Sequence, residues 1–98
     1  MTQNEIMRQI LNVRHESPEQ ERELCFTLLS QCKDYYEEAF ARTYLADALS
    51  SMGLFDSAIQ ECKKALDITL KNNYEELSLT LYNLIGIIYT YTDDEQGA

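Results

Sequence analysis

The feature that most constrains this sequence is a helical spacing of apolar side chains that recurs along the whole chain. Apolar residues lie three and four positions apart in five successive segments, which places them on one face of an α-helix in each. No segment of convincing length shows the two-residue alternation of a β-strand. The sequence therefore predicts an all-α fold of about five helices, packed as antiparallel helix hairpins because the connections are short.

Polar residues with the spacing of helix N-terminal caps mark the predicted helix starts. The predicted caps are Thr2, Ser17, Asp34, Asp56 and Asn73. The first helix is expected over residues 3–14 and the second from 18 to about 33.

Breaks in the apolar pattern mark the predicted helix ends. Gly53 is expected to close the third helix in the left-handed conformation that glycine adopts without strain. Asn72-Asn73 should end the fourth, and a turn is expected at 92–94 after the fifth. The fifth helix is apolar on nearly every side, and such a helix expects cover on more than one face.

The charge of the chain excludes several classes of partner. Seventeen acidic residues stand against eight lysines and arginines among 98 residues, a formal net charge of −9. Phosphate backbones and anionic lipid repel such a chain, so neither nucleic acid nor a membrane surface is an expected partner. The N-terminus lacks a secretory leader, and the apolar run 77–91 is shorter than the ~20 residues that span a bilayer, so a cytoplasmic location is expected.

Residues with catalytic or metal-binding potential do not form a pattern. His15 is the only histidine and lies in a predicted loop without a nucleophile and orienting partner. Cys25 and Cys32 stand seven apart on one helix, about 10 Å along its axis, too far for a disulfide. The acidic pairs lack the spacing of a calcium loop. The sequence thus predicts no catalytic residue, no cofactor and no metal site, and so no enzyme.

Two segments of the chain resemble each other at an offset of 40 residues. The first alternates large and small residues in a helix, continues through a turn glycine and an aromatic residue, and ends in spaced small residues. Its members are Leu45, Ala46, Leu49, Gly53, Phe55, Ala58, Cys62 and Ala65. The second matches in part, at Tyr82, Ile85, Gly86, Tyr89 and Ala98.

This pattern resembles the tetratricopeptide repeat (TPR) family, in a variety whose period of about 40 residues exceeds the usual 34. The resemblance implies a TPR-like α-solenoid with one domain over 1–98. Residues 1–33 form a degenerate or capping helix pair, 34–72 a clear repeat and 73–98 a truncated repeat. The truncation suggests the N-terminal fragment of a longer protein. It also predicts a homodimer through an open face of the fifth helix, drawn from Leu81, Leu84, Ile85 and Ile88.

The resemblance also implies a partner-binding groove, because the first helix of each TPR pair lines the concave face. The positions that carry over are Phe40, Thr43, Tyr44, Asp47, Ser50, Thr80, Asn83, Ile87 and Tyr91. The basic residues with which many TPR domains clamp a peptide carboxylate are absent from this set. The expected partner is therefore a neutral or basic protein or peptide.

Two functions follow from the resemblance. One is a non-catalytic interaction or sensory module of a bacterial signalling protein, preceding an output domain such as a diguanylate cyclase or a transcription regulator. The alternative is a stand-alone adaptor or assembly factor that holds a peptide or helix in the concave groove.

Overall fold

The predicted all-helical architecture is confirmed by a computed structural model, which describes the backbone of residues 1–96 and the side chains as far as Thr92. Five α-helices and no strand lie within that range. They are α1 (Gln3–Val13), α2 (Pro18–Gln31), α3 (Tyr35–Ser51), α4 (Phe55–Asn72) and α5 (Glu75–Gln96). Connections of a few residues join them into a row of antiparallel hairpins.

Three of the predicted helix caps are confirmed. Thr2 and Glu5 form a reciprocal capping box at the start of α1. The Ser17 hydroxyl accepts a hydrogen bond from the Gln20 backbone N–H at 3.3 Å, and the Asp34 carboxylate accepts one from the Glu37 N–H at 2.8 Å. Each cap satisfies a backbone donor that would otherwise lack a partner and is worth about 1 kcal/mol.

Two other predicted caps are wrong. Asp56 lies inside the first turn of α4, whose N-cap is Leu54 without any side-chain hydrogen bond. There the carboxylate still faces the positive end of the helix dipole. Asn73 does not start α5 but closes α4 in the left-handed conformation, with φ of 59°. An asparagine can serve either purpose, so its type alone does not decide between them.

The turn predicted at 92–94 is also wrong, because α5 continues through these positions to Gln96. Thr92 does not cap a new segment; its hydroxyl donates back to the Tyr89 carbonyl at 3.3 Å within the helix. Ala98, which was matched to the repeat, lies outside the described residues.

Gly53 closes α3 as predicted, with φ of +79°. The Leu54 N–H donates to the Leu49 carbonyl at 2.9 Å, and the Gly53 N–H donates to that of Ser50 at 3.0 Å. These two bonds define a Schellman motif, which needs a left-handed residue at the position of Gly53. The motif sets the sharp reversal that returns α4 along α3.

The interior consists of two apolar clusters that share α3. The N-terminal core joins α1, α2, α3 and the start of α5, and the C-terminal core joins α3, α4 and the body of α5. The N-terminal core contains Ile6, Ile10, Cys25, Leu28, Ala39, Phe40, Ala41, Tyr44, Leu45 and Leu77. The C-terminal core contains Ala46, Ala58, Cys62, Ala65, Leu81, Leu84 and Ile88. Within the described residues, α3 is the one helix packed against all four others.

Gly86 makes no close contact with a neighbouring helix. A Cβ atom built there meets no atom within 4 Å, and the residue is exposed. Gly86→Leu is therefore not expected to disturb the packing of this chain. The glycine nevertheless lowers the helical propensity of α5 by roughly 0.5 to 1 kcal/mol relative to alanine.

The two glycines should respond in opposite directions to the same substitution. Gly53→Ala should lower the free energy of unfolding by about 1 kcal/mol, because a side chain strains the left-handed backbone. Gly86→Ala should raise it by about 0.5 to 1 kcal/mol, because alanine favours the helix and meets no neighbour. Urea denaturation followed by circular dichroism measures both. A loss of stability in Gly86→Ala would contradict the open environment of this residue.

Candidate functional site

The α3 half of the predicted groove is core rather than surface. Phe40 and Tyr44 are 6% and 7% exposed, and Thr43 is fully buried. The Thr43 hydroxyl donates to the Ala39 carbonyl at 2.7 Å and so is satisfied inside its own helix. These three residues cannot contact a partner in this conformation, because α3 is covered by helices on both sides.

The remaining predicted groove residues keep some access to solvent. Asp47, Ser50 and Thr80 are half-buried, whereas Asn83, Ile87 and Tyr91 are exposed. The Tyr91 ring stacks on the Phe55 ring of α4 at a centroid distance of 5.9 Å. The structure therefore places Phe40, Thr43 and Tyr44 in the core, Asp47 and Ser50 at half-buried positions of α3, and Thr80, Asn83, Ile87 and Tyr91 on α5. The nine predicted positions do not form one open groove.

An aromatic row along α3 involves residues that sequence reasoning did not connect. The Phe40 ring lies 4.7 Å from the Tyr44 ring and 6.3 Å from the Tyr36 ring, and Tyr36 packs edge-on against Tyr74 at 5.2 Å. The four-residue spacing of Tyr36, Phe40 and Tyr44 could have indicated the row. Tyr74 could not have been added, because it comes from the connection between α4 and α5.

A buried polar cluster lies at the other end of this row, where α1, α2 and α3 meet. The Arg14 guanidinium lies over the Tyr44 ring, 5.1 Å from its centroid, and Arg14 Nε is 3.8 Å from the Asp47 carboxylate. Glu21 is fully buried beside them, although glutamate side chains usually lie on the protein surface. Neither the charge of Glu21 nor its spacing along α2 predicted that this carboxyl is buried.

The protonation of Glu21 follows from its surroundings. Within the described chain, neither of its oxygens has a donor. Burial raises the pKa of the Glu21 carboxyl to about 9, and the nearby Asp47 carboxylate acts in the same direction, against a smaller opposing effect of Arg14. At neutral pH the Glu21 carboxyl is therefore neutral.

The cysteines show no sign of an activated thiol. Burial is the main cause that raises the pKa of Cys25, with Glu21 and Asp47 adding to it, and burial raises the pKa of Cys62 to about 11. Both are fully buried members of the two cores. Cys32 is partly exposed, and its thiol donates to the Leu29 carbonyl at 3.3 Å. All three cysteines are free.

A row of accessible apolar residues lies along α5; this surface, called here the α5 stripe, is formed by Leu79, Tyr82, Gly86 and Tyr89. The three side chains are 64%, 53% and 51% exposed. Spacings of three and four residues align them on one side of the helix. The sequence from Leu77 to Thr92 contains no charged residue, so the stripe and its flanks are electrically neutral.

The open face of α5 is therefore not the one predicted. Leu81, Leu84 and Ile88 are 0%, 7% and 1% exposed, because they fill the C-terminal core, and Ile85 is half-buried against it. Tyr82 and Tyr89, which belong to the second repeat segment, are exposed. The prediction failed because a helix apolar all round does not show which of its sides faces the neighbouring helices.

A cleft of about 450 Å³ lies beside the stripe, between the start of α4 and the late turns of α5. Phe55, Asp56, Lys63 and Tyr89 are among its lining residues.

Within the described residues, no three His, Cys, Asp or Glu side chains come together as metal ligands. None of the helices within 1–96 combines the length and apolarity that crossing a bilayer requires.

Comparison with known proteins gives no match: no protein-family profile fits the chain, and neither the curated proteins nor the solved structures contain a significantly similar one.

The buried Glu21 predicts how stability depends on pH. Its folded-state pKa is raised above the unfolded value of 4.5, so the folded chain holds a proton that the unfolded chain releases. Stability is then full below about pH 4.5 as far as this group is concerned, and falls as pH rises toward 9, with a limiting slope of about 1.4 kcal/mol per pH unit. Glu21→Gln should flatten this slope and stabilise the chain at pH 8.

Glu23→Gln is the matched control, because it removes the same charge from an exposed position of α2. Urea titrations at pH 5, 6, 7 and 8 provide the unfolding free energies for both variants. If Glu21→Gln and Glu23→Gln show the same pH dependence, Glu21 is ionised in the folded chain and the buried proton is refuted.

Proposed function

We propose that this chain is a non-catalytic protein-interaction module that binds a protein partner through the α5 stripe. The observation that carries the proposal is the exposure of Leu79, Tyr82 and Tyr89 along one side of a helix whose other side is packed. Contiguous exposed apolar surface on a folded domain marks interaction sites, whereas single exposed apolar residues are ordinary.

The residue types of the stripe suit a binding surface. Tyrosine is enriched among the residues that contribute most to protein–protein affinity, because its ring buries a large area and its hydroxyl remains hydrogen-bonded. The stripe contains no charge that would lose its hydration on contact. Elsewhere the chain is strongly acidic, with a net charge of −9, so this neutral face differs from the surface around it.

The burial of Glu21 argues against a catalytic role for this carboxyl. Glu21 has the only carboxyl whose pKa rises to about 9 among the described groups, yet it has no exposed surface from which to meet a substrate. A general acid must reach the atom that it protonates. Glu21 instead contributes to how α1 and α2 pack on α3.

The recurrence of the α3 pattern in α5 supports membership in a TPR-like helical repeat class. On that resemblance, the chain would serve as an interaction or sensory module of a bacterial signalling protein, ahead of an output domain such as a diguanylate cyclase or a transcription regulator. A partner neutral or basic in charge suits the acidic surface around the stripe.

A second candidate function is that of a stand-alone adaptor whose partner contacts the predicted groove. The observation that favours it is the exposure of Asn83 and Ile87, one turn apart on α5, together with the half-buried Thr80. These residues border the α5 stripe, so a partner that used them would also approach α5. The two candidates differ in whether Tyr82 and Tyr89 or Asn83 and Ile87 form the centre of the interface.

Site-specific photo-crosslinking tests the proposed surface. A photoreactive phenylalanine analogue replaces Tyr82 in one variant, Ile87 in a second and Phe26 of α2 in a third; the native Tyr82 and Phe26 side chains are each 53% exposed. In cells that naturally contain the protein, the probe at 82 should yield a discrete crosslinked partner that the probe at 26 does not. Identical products from both positions would show that the stripe has no partner of its own, and a product from position 87 alone would favour the groove.

A further inference from the structure

The helices α3 and α5 correspond at an offset of 40 residues. The way α3 is packed therefore indicates what kind of helix can cover α5. Ala41 and Leu81 are both buried, and so are Tyr44 and Leu84, and Ala48 and Ile88. In each helix this face packs toward the preceding part of the chain. The burial pattern thus supports the register that the sequence suggested, independently of residue similarity.

The opposite faces of the two helices differ in their cover within the described residues: a helix packs on that face of α3, and none packs on that face of α5. On α3 this face meets α4. Ala46 is fully buried in the C-terminal core beside α4 residues, Leu49 packs against that core, and Arg42 donates to Glu61 of α4 at 2.9 Å. The corresponding positions of α5 are Tyr82, Gly86 and Tyr89, which are exposed. Tyr82, Gly86 and Tyr89 of the α5 stripe are therefore equivalent to the α4-binding face of α3, whereas Leu79 corresponds to Ala39 of the N-terminal core.

The side of α4 that meets α3 has a simple chemical pattern. Ala58, Cys62 and Ala65 are all fully buried in the C-terminal core and stand at positions i, i+4 and i+7. Small side chains at this spacing form a shallow stripe, which lets a neighbouring helix approach closely and place its larger residues on either side. Gly86 would allow an approach at least as close, since it lacks even the methyl group of Ala46.

We propose that the α5 stripe binds an α4-like helix: an antiparallel amphipathic helix with small residues at i, i+4 and i+7 on its contact face. This inference rests on the proposed function and specifies the class of partner. Gly86 faces the small residues of the incoming helix, and the Tyr82 and Tyr89 rings pack beside them.

The charge of α5 adds a requirement on the same partner. Glu75 and Glu76 precede the neutral stretch, and Asp93, Asp94 and Glu95 follow it in sequence. A helix lying along α5 has one end near the exposed Glu75 and Glu76, so an acidic helix is disfavoured and a neutral or basic one is accepted. The α4 helix meets this condition, since it contains three acidic and three basic residues.

A second copy of this chain does not offer such a helix. Its own Ala58, Cys62 and Ala65 are already fully buried in its C-terminal core. Two copies would also bring together two chains of charge −9, which repel each other. The preferred occupant is therefore a helix of a different protein, and self-association is an outcome that the test can detect.

The chain provides the probe for this test. A synthetic peptide of residues 54–73, with blocked ends, a fluorophore and a lactam between the exposed Lys63 and Asp67 side chains, presents the α4 face as a stable helix. Fluorescence anisotropy measures its binding to the intact chain. Saturable binding is expected, and Gly86→Leu should weaken it at least tenfold because the leucine fills the position that the small residues approach.

Two controls isolate the contact. Phe26→Leu changes an exposed apolar residue on α2 and should leave peptide binding unchanged. A peptide with Ala58→Leu and Ala65→Leu keeps its charge and helicity and should not bind. Thermal melts of the Gly86→Leu chain should match or exceed those of the parent, since no atom lies within 4 Å of a Cβ at this position.

Each outcome of the peptide-binding experiment either supports or contradicts an α4-like helix as the occupant of the α5 stripe. Binding that is lost in Gly86→Leu and in the bulky peptide supports it, whereas binding unaffected by Gly86→Leu overturns it. Absence of peptide binding also overturns it; a crosslinked partner at Tyr82 would then show that the proposed function survives without an α4-like occupant. Sedimentation of the chain as a dimer that Gly86→Leu converts to a monomer would identify a second copy as the occupant instead.

Discussion

The burial of α3 on both sides is the constraint on which the rest of the structure depends. Its alanines make this burial possible: Ala39, Ala41, Ala46 and Ala48 have no exposed surface, and small side chains let helices approach from opposite directions. α3 contributes to both cores, and the other four helices all contact it. Because α3 is covered, the chain can present only the outer helices to a partner.

The same enclosure accounts for the buried acids. Asp47 projects from α3 toward the ends of α1 and α2, where Arg14 and Glu21 lie. Burying an ionised carboxyl without donors costs more free energy than protonating it, so Glu21 retains its proton near neutral pH. The apolar contacts that determine the packing thereby also determine the protonation state of Glu21, which would be charged on the surface. The chain is less stable at neutral pH than its apolar contacts alone would make it.

The all-α class, the caps of the first three helices and the left-handed Gly53 could be predicted because each depends on local spacing. The sidedness of α5 could not, since Leu81 and Tyr82 are equally plausible core residues until the position of α4 is known. The groove residues Phe40, Thr43 and Tyr44 were assigned by analogy with an open array, and the close packing of α3 buries them. Glu21 was missed because nothing in its neighbourhood along the chain distinguishes it from exposed glutamates.

The division of the interior into two cores has a consequence for motion. Detaching α5 exposes the C-terminal core but leaves the N-terminal core largely intact, since only Leu77 of α5 belongs to it. Such partial opening costs less free energy than global unfolding, so the amide protons of α5 exchange with water sooner than those of α3. A helix bound along the α5 stripe would suppress this opening. The same contact that recruits a partner would thus also lengthen the lifetime of the folded C-terminal half.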